Sequence, residues 1–330
     1  MTGDFLLAPM AELTHRAIRE LIEGFRGEGL TFGPSEGSRE GADEYFTEMI
    51  SAAALLSGGP FESWYVDNDP CPEKLVYQIV GGDTDTLVRA VSLLDKNECL
   101  GIDINMHCSA PAITRGGAGI RWMVDIEKAS NLIRRSRPKT RRRLSVKLGV
   151  GLADNFEYLV RFCRRLEEEG LDLITLHPRT AKEKFKRKAR WNYISALRKE
   201  LRIPLVGNGD IASAEEMLRR REECDAVMVG RLAMRRPWVF AEARGIQAGS
   251  QPSSVNIEET GLRFLELLSR HQPPEFHISR ARRFFSYFCD NLKWGTHVKN
   301  LLNRETELSG VERVWRGYFA EPPAGRYTSS

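Results

Sequence analysis

Residues that could take part in catalysis recur at the ends of short apolar runs along this sequence. Such runs suit parallel β-strands, and the carboxyl ends of all strands in a parallel barrel meet at one mouth, where active sites are built. We therefore expect these residues to line a single site. They are Pro9, Met10, Gln78, Asn105, His107, Cys108, Lys147, His177, Arg179, Asn208, Gly209, Asp210, Gly230 and Arg231.

Cys108 is a candidate acid or nucleophile. An isolated cysteine is most often a small buried hydrophobic residue. Cys108, however, follows a predicted strand, lies beside Asn105 and His107, and precedes the glycine-rich stretch 115–119, which could form a mobile lid. A thiol in such a loop could donate a proton or attack a substrate. His107 competes for the acid role, because an imidazole also donates a proton near neutral pH.

Lys147 lies within the otherwise apolar run 144–148. A buried ammonium group needs an anionic or strongly accepting partner, because removing it from water is costly. The pyrimidine edge of a flavin would be such a partner, since reduction places negative charge there. The alternative is an exposed strand end, with the lysine pointing to solvent.

A phosphate site is predicted around Gly209 and Gly230. Glycine lets the backbone approach a ligand closely, and helices that follow both residues would point their N-termini at the same region, which favours an anion. The loops after the last two strands form the usual phosphate site of β/α barrels. The alternative for residues 207–210 is a simple tight turn.

The elements that must position these residues alternate in type. Apolar strand candidates are separated by amphipathic stretches through residue 245, which predicts a (β/α)8 TIM barrel; an open doubly wound sheet is the alternative. Thr14 is expected to cap a helix over 15–26, and Ser213 with Glu216 to form a capping box for 214–222. The predicted strands are Phe5–Ala8, Leu75–Val80, Gly101–Asn105, Leu144–Leu148, Leu171–His177, Ile203–Gly207 and Ala226–Val229, with an eighth expected near Leu30–Gly33.

The C-terminal part of the chain contains no strand candidates. Residues 248–255 have the composition of a linker. Beyond them, large apolar residues recur at helical spacing over 257–271, 277–293, 296–305 and 310–319. We therefore predict a catalytic barrel over residues 1–247, the linker, a helical domain over 256–325 and a tail over 326–330.

Composition limits the class of protein. With 330 residues and a hydrophobic fraction of 42%, the chain can bury a large core. No apolar run approaches the ~18 residues of a membrane span, and the N-terminus lacks the features of a secretory signal. Six cysteines form no CxxC pair, which argues against a zinc site or a disulfide framework. We expect a monomeric cytoplasmic protein without a bound metal.

The basic residues are unevenly distributed, although the net charge is only +4. Residues 134–147 carry eight Lys or Arg and no acid, and residues 178–190 carry seven against one acid. Shorter runs occur at Arg219–Arg221, Arg235–Arg236 and Arg280–Arg283. One such run is usually a solvated helix face, but several together favour a polyanionic partner.

The sequence resembles the tRNA-dihydrouridine synthases over nearly its whole length. No single motif is specific, but all occur in the order found in that family. The matching segments are 7–10 (LAPM), 47–51 (TEMIS), 78–79 (QI), 102–108 (IDINMHC), 116–119 (GGAG), 146–147 (VK), 177–180 (HPRT), Trp191, 208–211 (NGDI), 227–231 (VMVGR) and 237–238 (PW).

The resemblance implies an FMN-dependent reductase whose helical domain binds tRNA. NADPH would reduce the flavin, which would then reduce the C5–C6 double bond of a specific uridine, with Cys108 protonating C5. Asn105 and Arg179 would contact the substrate. FMN would be bound by Pro9, Met10, Gln78, Lys147, His177, Asn208, Gly209, Asp210, Gly230 and Arg231.

The sequence departs from that family at the cysteine. The family usually reads Gly-Cys-Pro there, whereas this chain has His107, Cys108 and Ser109, with Pro111 two places later. The loop therefore carries a side chain in place of glycine and lacks an adjacent proline that would fix φ. In the 177–179 segment, proline also stands where the family usually has glycine or alanine.

Two other functions remain open on sequence alone. An FMN barrel of this kind could oxidise or reduce a free pyrimidine, although the helical tail and the basic runs argue against a small substrate. The altered cysteine loop could instead indicate a non-catalytic RNA-binding barrel. The target uridine, and tRNA as opposed to ribosomal RNA, are not determined by the sequence.

Overall fold

Eight parallel strands close into a barrel in the computed structural model. The structure describes residues 3–26, 31–32, 41–183, 186–250 and 254–320. The strands are β1 (Phe5–Leu7), β2 (Phe25–Arg26), β3 (Thr31–Phe32), β4 (Glu44–Phe46), β5 (Ile50–Ser51), β6 (Leu75–Val80), β7 (Gly101–Met106), β8 (Arg143–Leu148), β9 (Leu173–Leu176), β10 (Leu205–Asn208) and β11 (Ala226–Val229).

The strand pairing confirms the predicted TIM barrel. Neighbouring strands run in the order β4, β1, β11, β10, β9, β8, β7, β6, and β6 pairs with β4 to close the ring. β5 adds a short parallel pairing to the end of β6. β2 and β3 form a separate antiparallel pair. Because the sheet closes on itself, the open doubly wound alternative is wrong.

The predicted eighth strand near Leu30–Gly33 is wrong as a member of the barrel. Thr31 and Phe32 pair with Phe25 and Arg26, and the flanking residues 30 and 33 lie outside the described part of the chain. The barrel position is taken by β4. β4 has only three residues and begins with a buried carboxylate, so a search for apolar runs passes over it.

The barrel interior changes from apolar to polar along the strands. Leu6, Val76, Leu173, Val206 and Met228 belong to one buried cluster. Successive side chains of a strand alternate between faces, so the residue two places further on also points inward. On β6, β9 and β10 that next inward residue is Gln78, Thr175 and Asn208. Polar groups therefore collect at the carboxyl ends of the strands.

Helices follow most of the barrel strands, and several begin at side-chain caps. Asp83, Asp125 and Asn155 each accept a hydrogen bond from the backbone N–H three residues later. Thr14 does not cap its helix as predicted; its hydroxyl bonds to Met10. The helices up to residue 247 are α1 (Arg16–Glu23), α2 (Ala52–Ser57), α3 (Glu62–Tyr65), α4 (Thr84–Leu94), α5 (Pro111–Thr114), α6 (Ile126–Ser136), α7 (Phe156–Glu168), α8 (Trp191–Arg198), α9 (Ala214–Arg221), α10 (Arg231–Arg235) and α11 (Val239–Gln247).

The predicted C-terminal helices are confirmed. They are α12 (Ile257–His271), α13 (Pro274–Phe288), α14 (Gly295–Leu302) and α15 (Leu308–Ala320). They pack around aromatic side chains: Phe264 stacks on Phe284 with centroids 3.9 Å apart, and Phe285 lies 4.8 Å from Trp315. Gly261 allows this packing, because a Cβ there would lie 2.4 Å from the Trp315 ring.

Contacts divide the chain into two compact units. Unit 1 holds the barrel strands and comprises Met1–Pro9, Asp43–Ile211 and Glu216–Val229; unit 2 comprises Met10–Ala42, Ala212–Glu215 and Gly230–Ser330. The predicted domain boundaries remain a prediction. No helix among the described residues is long and apolar enough to cross a membrane.

A buried ion pair spans the amino end of the barrel. Nη1 and Nη2 of Arg143, the first residue of β8, donate to the Glu44 carboxylate at the start of β4, over 2.7 and 2.5 Å. The Glu44 side chain is fully buried and that of Arg143 is 11% exposed. β4 and β8 are not neighbours, so the pair crosses the barrel interior.

We predict that Glu44→Gln lowers the free energy of unfolding by about 3 kcal/mol, because it leaves the buried guanidinium without its counter-charge. Chemical denaturation measures this change. Asp85→Asn is the matched control, since it removes an exposed ion pair with Arg135 and should cost less than about 1 kcal/mol. Equal effects of the two substitutions would contradict a special role for the buried pair.

Candidate active site

A chain of buried hydrogen bonds begins at Asp103 on β7. Its carboxylate accepts from Ser145 Oγ and from Gln78 Nε2, each over 2.7 Å. Removal from water raises the pKa of Asp103 to about 6, although both hydrogen bonds act to lower it. Near neutral pH the group is therefore largely ionised and can only accept hydrogen bonds.

The carboxylate determines the orientation of the next two side chains. Because Gln78 donates to Asp103, its Oε1 faces Asn105 and accepts from Asn105 Nδ2 over 3.0 Å. Asn105 Oδ1 is then turned outward and accepts from the backbone N–H groups of His107 and Cys108, over 3.1 and 2.9 Å. The barrel interior thus holds the cysteine loop by its backbone.

The cysteine loop is also held from its other side. The carbonyl of Cys108 accepts from the Ile120 N–H over 3.0 Å. Gly119 has φ +61°, and a Cβ there would lie 2.2 Å from the same carbonyl, so only glycine fits. All six cysteines are described, and Cys108 alone is not buried. The predicted lid over 115–119 remains a prediction.

Lys147 is buried, so the alternative of an exposed strand end is wrong. Its Nζ donates to Asn208 Oδ1 over 2.9 Å, and Asn208 Nδ2 donates to the Met228 carbonyl over 2.7 Å. Burial lowers the pKa of Lys147 to about 8, while Asp103 acts in the opposite direction. Within the described residues this is its only hydrogen bond, so the other ammonium hydrogens can serve a bound acceptor.

The loop after β10 is packed against the loop after β9. Gly209 has φ +126°, and a Cβ there would lie 2.7 Å from the His177 ring and 3.0 Å from Ala189 Cβ. Asp210 accepts from the Ala189 N–H over 2.8 Å and forms an ion pair with Arg179. The backbone at residues 208–210 therefore runs against neighbouring groups with no room for a side chain at Gly209.

Two histidine rings meet between the cysteine loop after β7 and the loop after β9. His177 Nδ1 lies 2.9 Å from His107 Nε2, and Arg179 Nη1 lies 2.8 Å from His177 Nε2. Removal from water, together with the nearby charges of Lys147 and Arg179, lowers the pKa of His107 to about 3. His107 is therefore neutral at physiological pH.

A basic cleft of about 370 Å³ opens beside the same loops. Among its lining residues, Lys186, Arg187 and Lys188 are exposed and form no ion pair within the described residues. The cleft is lined by Arg179, Lys186, Arg187, Lys188, Ala189, Trp191, Asp210, Glu216 and Arg220. Five of these lining residues are cations and two are carboxylates, so the cleft is basic. Most of the cations belong to the segment that follows β9.

The other basic runs are largely neutralised or buried. In the 134–147 run, Arg135 pairs with Asp85 and Arg137 with Asp172. The run also leads into the amino end of β8, whereas the buried hydrogen bonds from Asp103 to the cysteine loop lie toward the carboxyl ends of the strands. Arg280 is buried in unit 2 and lies over the Phe276 ring, so the expectation of a surface run at Arg280–Arg283 is wrong for its first member.

The structure brings most of the predicted site residues together in unit 1. They are Pro9, Gln78, Asn105, Cys108, Lys147, His177, Arg179, Asn208, Gly209 and Asp210. Met10, Gly230 and Arg231 belong to unit 2, where Met10 contacts Thr14 and Gly230 precedes α10. Binding roles for all of these residues remain predictions.

Three residues that hold the site were not singled out from the sequence. Asp103 accepts hydrogen bonds from Ser145 and Gln78 at the start of the buried hydrogen-bond series. The Thr47 hydroxyl accepts from the Gln78 N–H over 3.0 Å. A signal for Asp103 was present, because it precedes Asn105 by two residues and so shares its strand face. Ser145 precedes Lys147 in the same way.

Comparison with known proteins identifies relatives along nearly the whole chain. Residues 6–318 match the family model described as "Dihydrouridine synthase (Dus)". The chain is 30% identical over 279 residues to the "Probable tRNA-dihydrouridine synthase" of Aquifex aeolicus (strain VF5), covering 82% of this chain and 83% of that protein. It is 27% identical over 327 residues to a protein of the same name from Rhizobium leguminosarum bv. phaseoli, covering 97% of both chains.

We predict that Asn105→Leu makes the Cys108 thiol react at least about tenfold faster with a thiol reagent. The substitution leaves two loop N–H groups without their acceptor, which costs about 1–3 kcal/mol for each buried donor. Since the other five cysteines are buried, labelling of the native protein reports on Cys108.

Thr114→Val is the control for this measurement, because it removes only the exposed hydrogen bond to the Ala110 carbonyl elsewhere in the loop. Its labelling rate should equal that of the wild type. Unchanged labelling in Asn105→Leu would show that the interior does not hold the cysteine loop.

Proposed function

The chain belongs to the dihydrouridine synthase family, and from that premise we propose that it reduces the C5–C6 double bond of a uridine in tRNA to 5,6-dihydrouridine. The observation that carries the proposal is the cysteine loop. Its thiol is the one cysteine that is not buried, and its backbone is held by Asn105 at the carboxyl end of β7. A proton donor in that place suits addition of hydrogen across a double bond.

We propose FMN as the cofactor and NADPH as the reductant. The described residues fit a flavin, because Lys147 is a buried cation with hydrogen-bonding capacity to spare. Lys147 and its hydrogen-bond partner Asn208 would hold the pyrimidine part of the ring. Contact of Gln78 and Gly209 with the cofactor stays a prediction. When bound, FMN supplies the hydride that adds to C6 of uracil. The ammonium of Lys147 stabilises negative charge beside it.

Cys108 is proposed to protonate C5. The competing candidate, His107, is disfavoured because a pKa of about 3 leaves almost no imidazolium at pH 7, and the neutral ring is a very weak acid. Asn105 uses its Oδ1 for the loop and its Nδ2 for Gln78, which supports a positioning role. Contact of Asn105 or Arg179 with uracil stays a prediction.

The proposed substrate is an RNA and not a free base. The exposed cations of the cleft, Lys186, Arg187 and Lys188, offer sites for backbone phosphates. The helical C-terminal region is proposed to bind further parts of the tRNA. A free pyrimidine would need neither feature. The retained lysine and thiol speak against a non-catalytic RNA-binding barrel.

We predict that FMN affinity falls as pH rises through about 8. Lys147 has a lowered pKa of about 8 before the cofactor binds, so the ammonium that favours binding is present below this pH and lost above it. Lys147→Met should bind FMN about tenfold more weakly below pH 8 and show no such fall. Quenching of flavin fluorescence measures both quantities.

Lys139→Met is the matched control, since Lys139 is exposed before the amino end of β8. It should bind FMN as the wild type does at every pH. If Lys147→Met kept the affinity and the pH dependence of the wild type, Lys147 would not contact the cofactor.

We predict that Cys108→Ala loses one half-reaction and keeps the other. NADPH oxidation by the holoenzyme should stay within about twofold of the wild type, because it needs no thiol. Formation of dihydrouridine in tRNA in a single turnover should fall by ~10²–10⁴-fold, the usual contribution of a positioned acid.

Cys99→Ala, a buried cysteine of unit 1, should keep both rates. A Cys108→Ala enzyme of nearly normal single-turnover rate would contradict the assigned acid. A wild-type holoenzyme that forms no dihydrouridine in any tRNA would overturn the proposed function itself.

A further inference from the structure

We propose that His107 is a positioning residue that ties the cysteine loop to the opposite loop through the ring of His177. We call the two rings the histidine bridge. The inference rests on the proposed function, because it concerns the placement of the Cys108 thiol for that reaction. It assigns a task to a side chain that stands where the resembling sequences usually have glycine.

The hydrogen-bond partners determine which nitrogen of each ring carries a proton. A guanidinium group only donates, so His177 Nε2 must accept from Arg179 Nη1. The proton of a neutral His177 is then on Nδ1, which lies 2.9 Å from His107 Nε2 and donates to it. His107 therefore carries its own proton on Nδ1. Both rings of the bridge are thus neutral and of the Nδ1–H tautomer.

The bridge passes directly over strand β8. His107 follows β7 and His177 follows β9, and β8 lies between them in the sheet. Gly149, just after β8, leaves the space that the bridge occupies: a Cβ there would lie 3.1 Å from His107 Cδ2 and 2.9 Å from the Arg179 carbonyl. A side chain at this position would push the two loops apart.

The charges around the bridge favour its neutral form. Lys147 and Arg179 both face His107, and a proton on His107 Nε2 would add a third positive charge. It would also set two N–H donors against each other across 2.9 Å. Asp210 pairs with Arg179, and Asp103 accepts hydrogen bonds from Gln78 and Ser145 while its charge raises the pKa of Lys147, so neither carboxylate pairs with the bridge.

The bridge gives the cysteine loop a second anchor beyond the barrel interior. Asn105 holds the loop by its backbone N–H groups, and His107 holds it by a side chain that reaches His177. Arg179 and Asp210 fix the far side, since Arg179 pairs with Asp210 and donates to the Arg187 carbonyl over 2.6 Å. Movement of the Cys108 thiol is therefore restrained by the bridge as well as by the hydrogen bonds of the loop to Asn105 and Ile120.

The first test is the protonation state of the bridge in the wild-type holoenzyme without RNA. Long-range ¹H–¹⁵N spectra distinguish the tautomers of the six histidines, with His107→Gln used to assign one of them. We expect Nδ1–H tautomers at both His107 and His177. We also expect that His107 does not titrate between about pH 5.5 and 8, a window that includes the ordinary histidine pKa. An Nε2–H tautomer at either residue, or titration of His107 in that window, would overturn the proposal.

The second test separates hydrogen bonding from filling of space. His107→Gln keeps an acceptor for His177 Nδ1–H, whereas His107→Leu keeps bulk without an acceptor. We expect single-turnover dihydrouridine formation to slow at least about tenfold in His107→Leu and about threefold or less in His107→Gln, with NADPH oxidation and the KM for tRNA unchanged in both. Cys99→Ala, at a buried cysteine of unit 1 outside both loops, should match the wild type.

Equal rates in the glutamine and leucine variants would reduce His107 to a space-filling residue. The spectra do not depend on catalysis, so they report on the bridge even if the wild type modifies no RNA. A wild type that modifies tRNA while its histidines have the other tautomer would contradict the bridge and leave the proposed function intact.

Discussion

The buried carboxylate of Asp103 determines the direction of the hydrogen bonds that lead to the cysteine loop. A carboxylate only accepts, so Gln78 must donate to it, and Asn105 must turn its oxygen toward the loop. The cost of burying Asp103, seen in its raised pKa of about 6, is offset by these hydrogen bonds and by the charge of Lys147.

The barrel separates two kinds of buried charge. At the amino end, Glu44 and Arg143 neutralise each other across the interior. At the carboxyl end, Lys147 has an amide oxygen as its hydrogen-bond partner, and the bridge histidines stay neutral. The first arrangement is complete without a ligand, whereas the second leaves a cation with hydrogen-bonding capacity for one. This difference between the two ends directs a ligand to the mouth that carries the thiol.

Sequence patterns predicted the fold and the strand ends, but not the contacts between them. Apart from β4, the other seven barrel strands and the C-terminal helices follow from apolar runs and apolar periodicity, which are local. β4 was not predicted because its first residue, Glu44, is charged. Burial of the Glu44 carboxylate depends on Arg143, 99 residues away. Likewise, the sequence alone left His107 as a rival acid. The burial and the charges of Lys147 and Arg179 that keep His107 neutral arise only in the folded barrel. Burial of Arg280 is a tertiary effect of the same kind.

Dihydrouridine mapping across all RNA of cells with and without this chain tests the central claim most directly. The account predicts that deletion removes dihydrouridine from one or a few defined positions in tRNA, and that the intact gene restores it while a Cys108→Ala copy does not. Unchanged dihydrouridine at every tRNA position in the deleted cells would contradict the account. Loss confined to ribosomal RNA would contradict the choice of tRNA as the substrate.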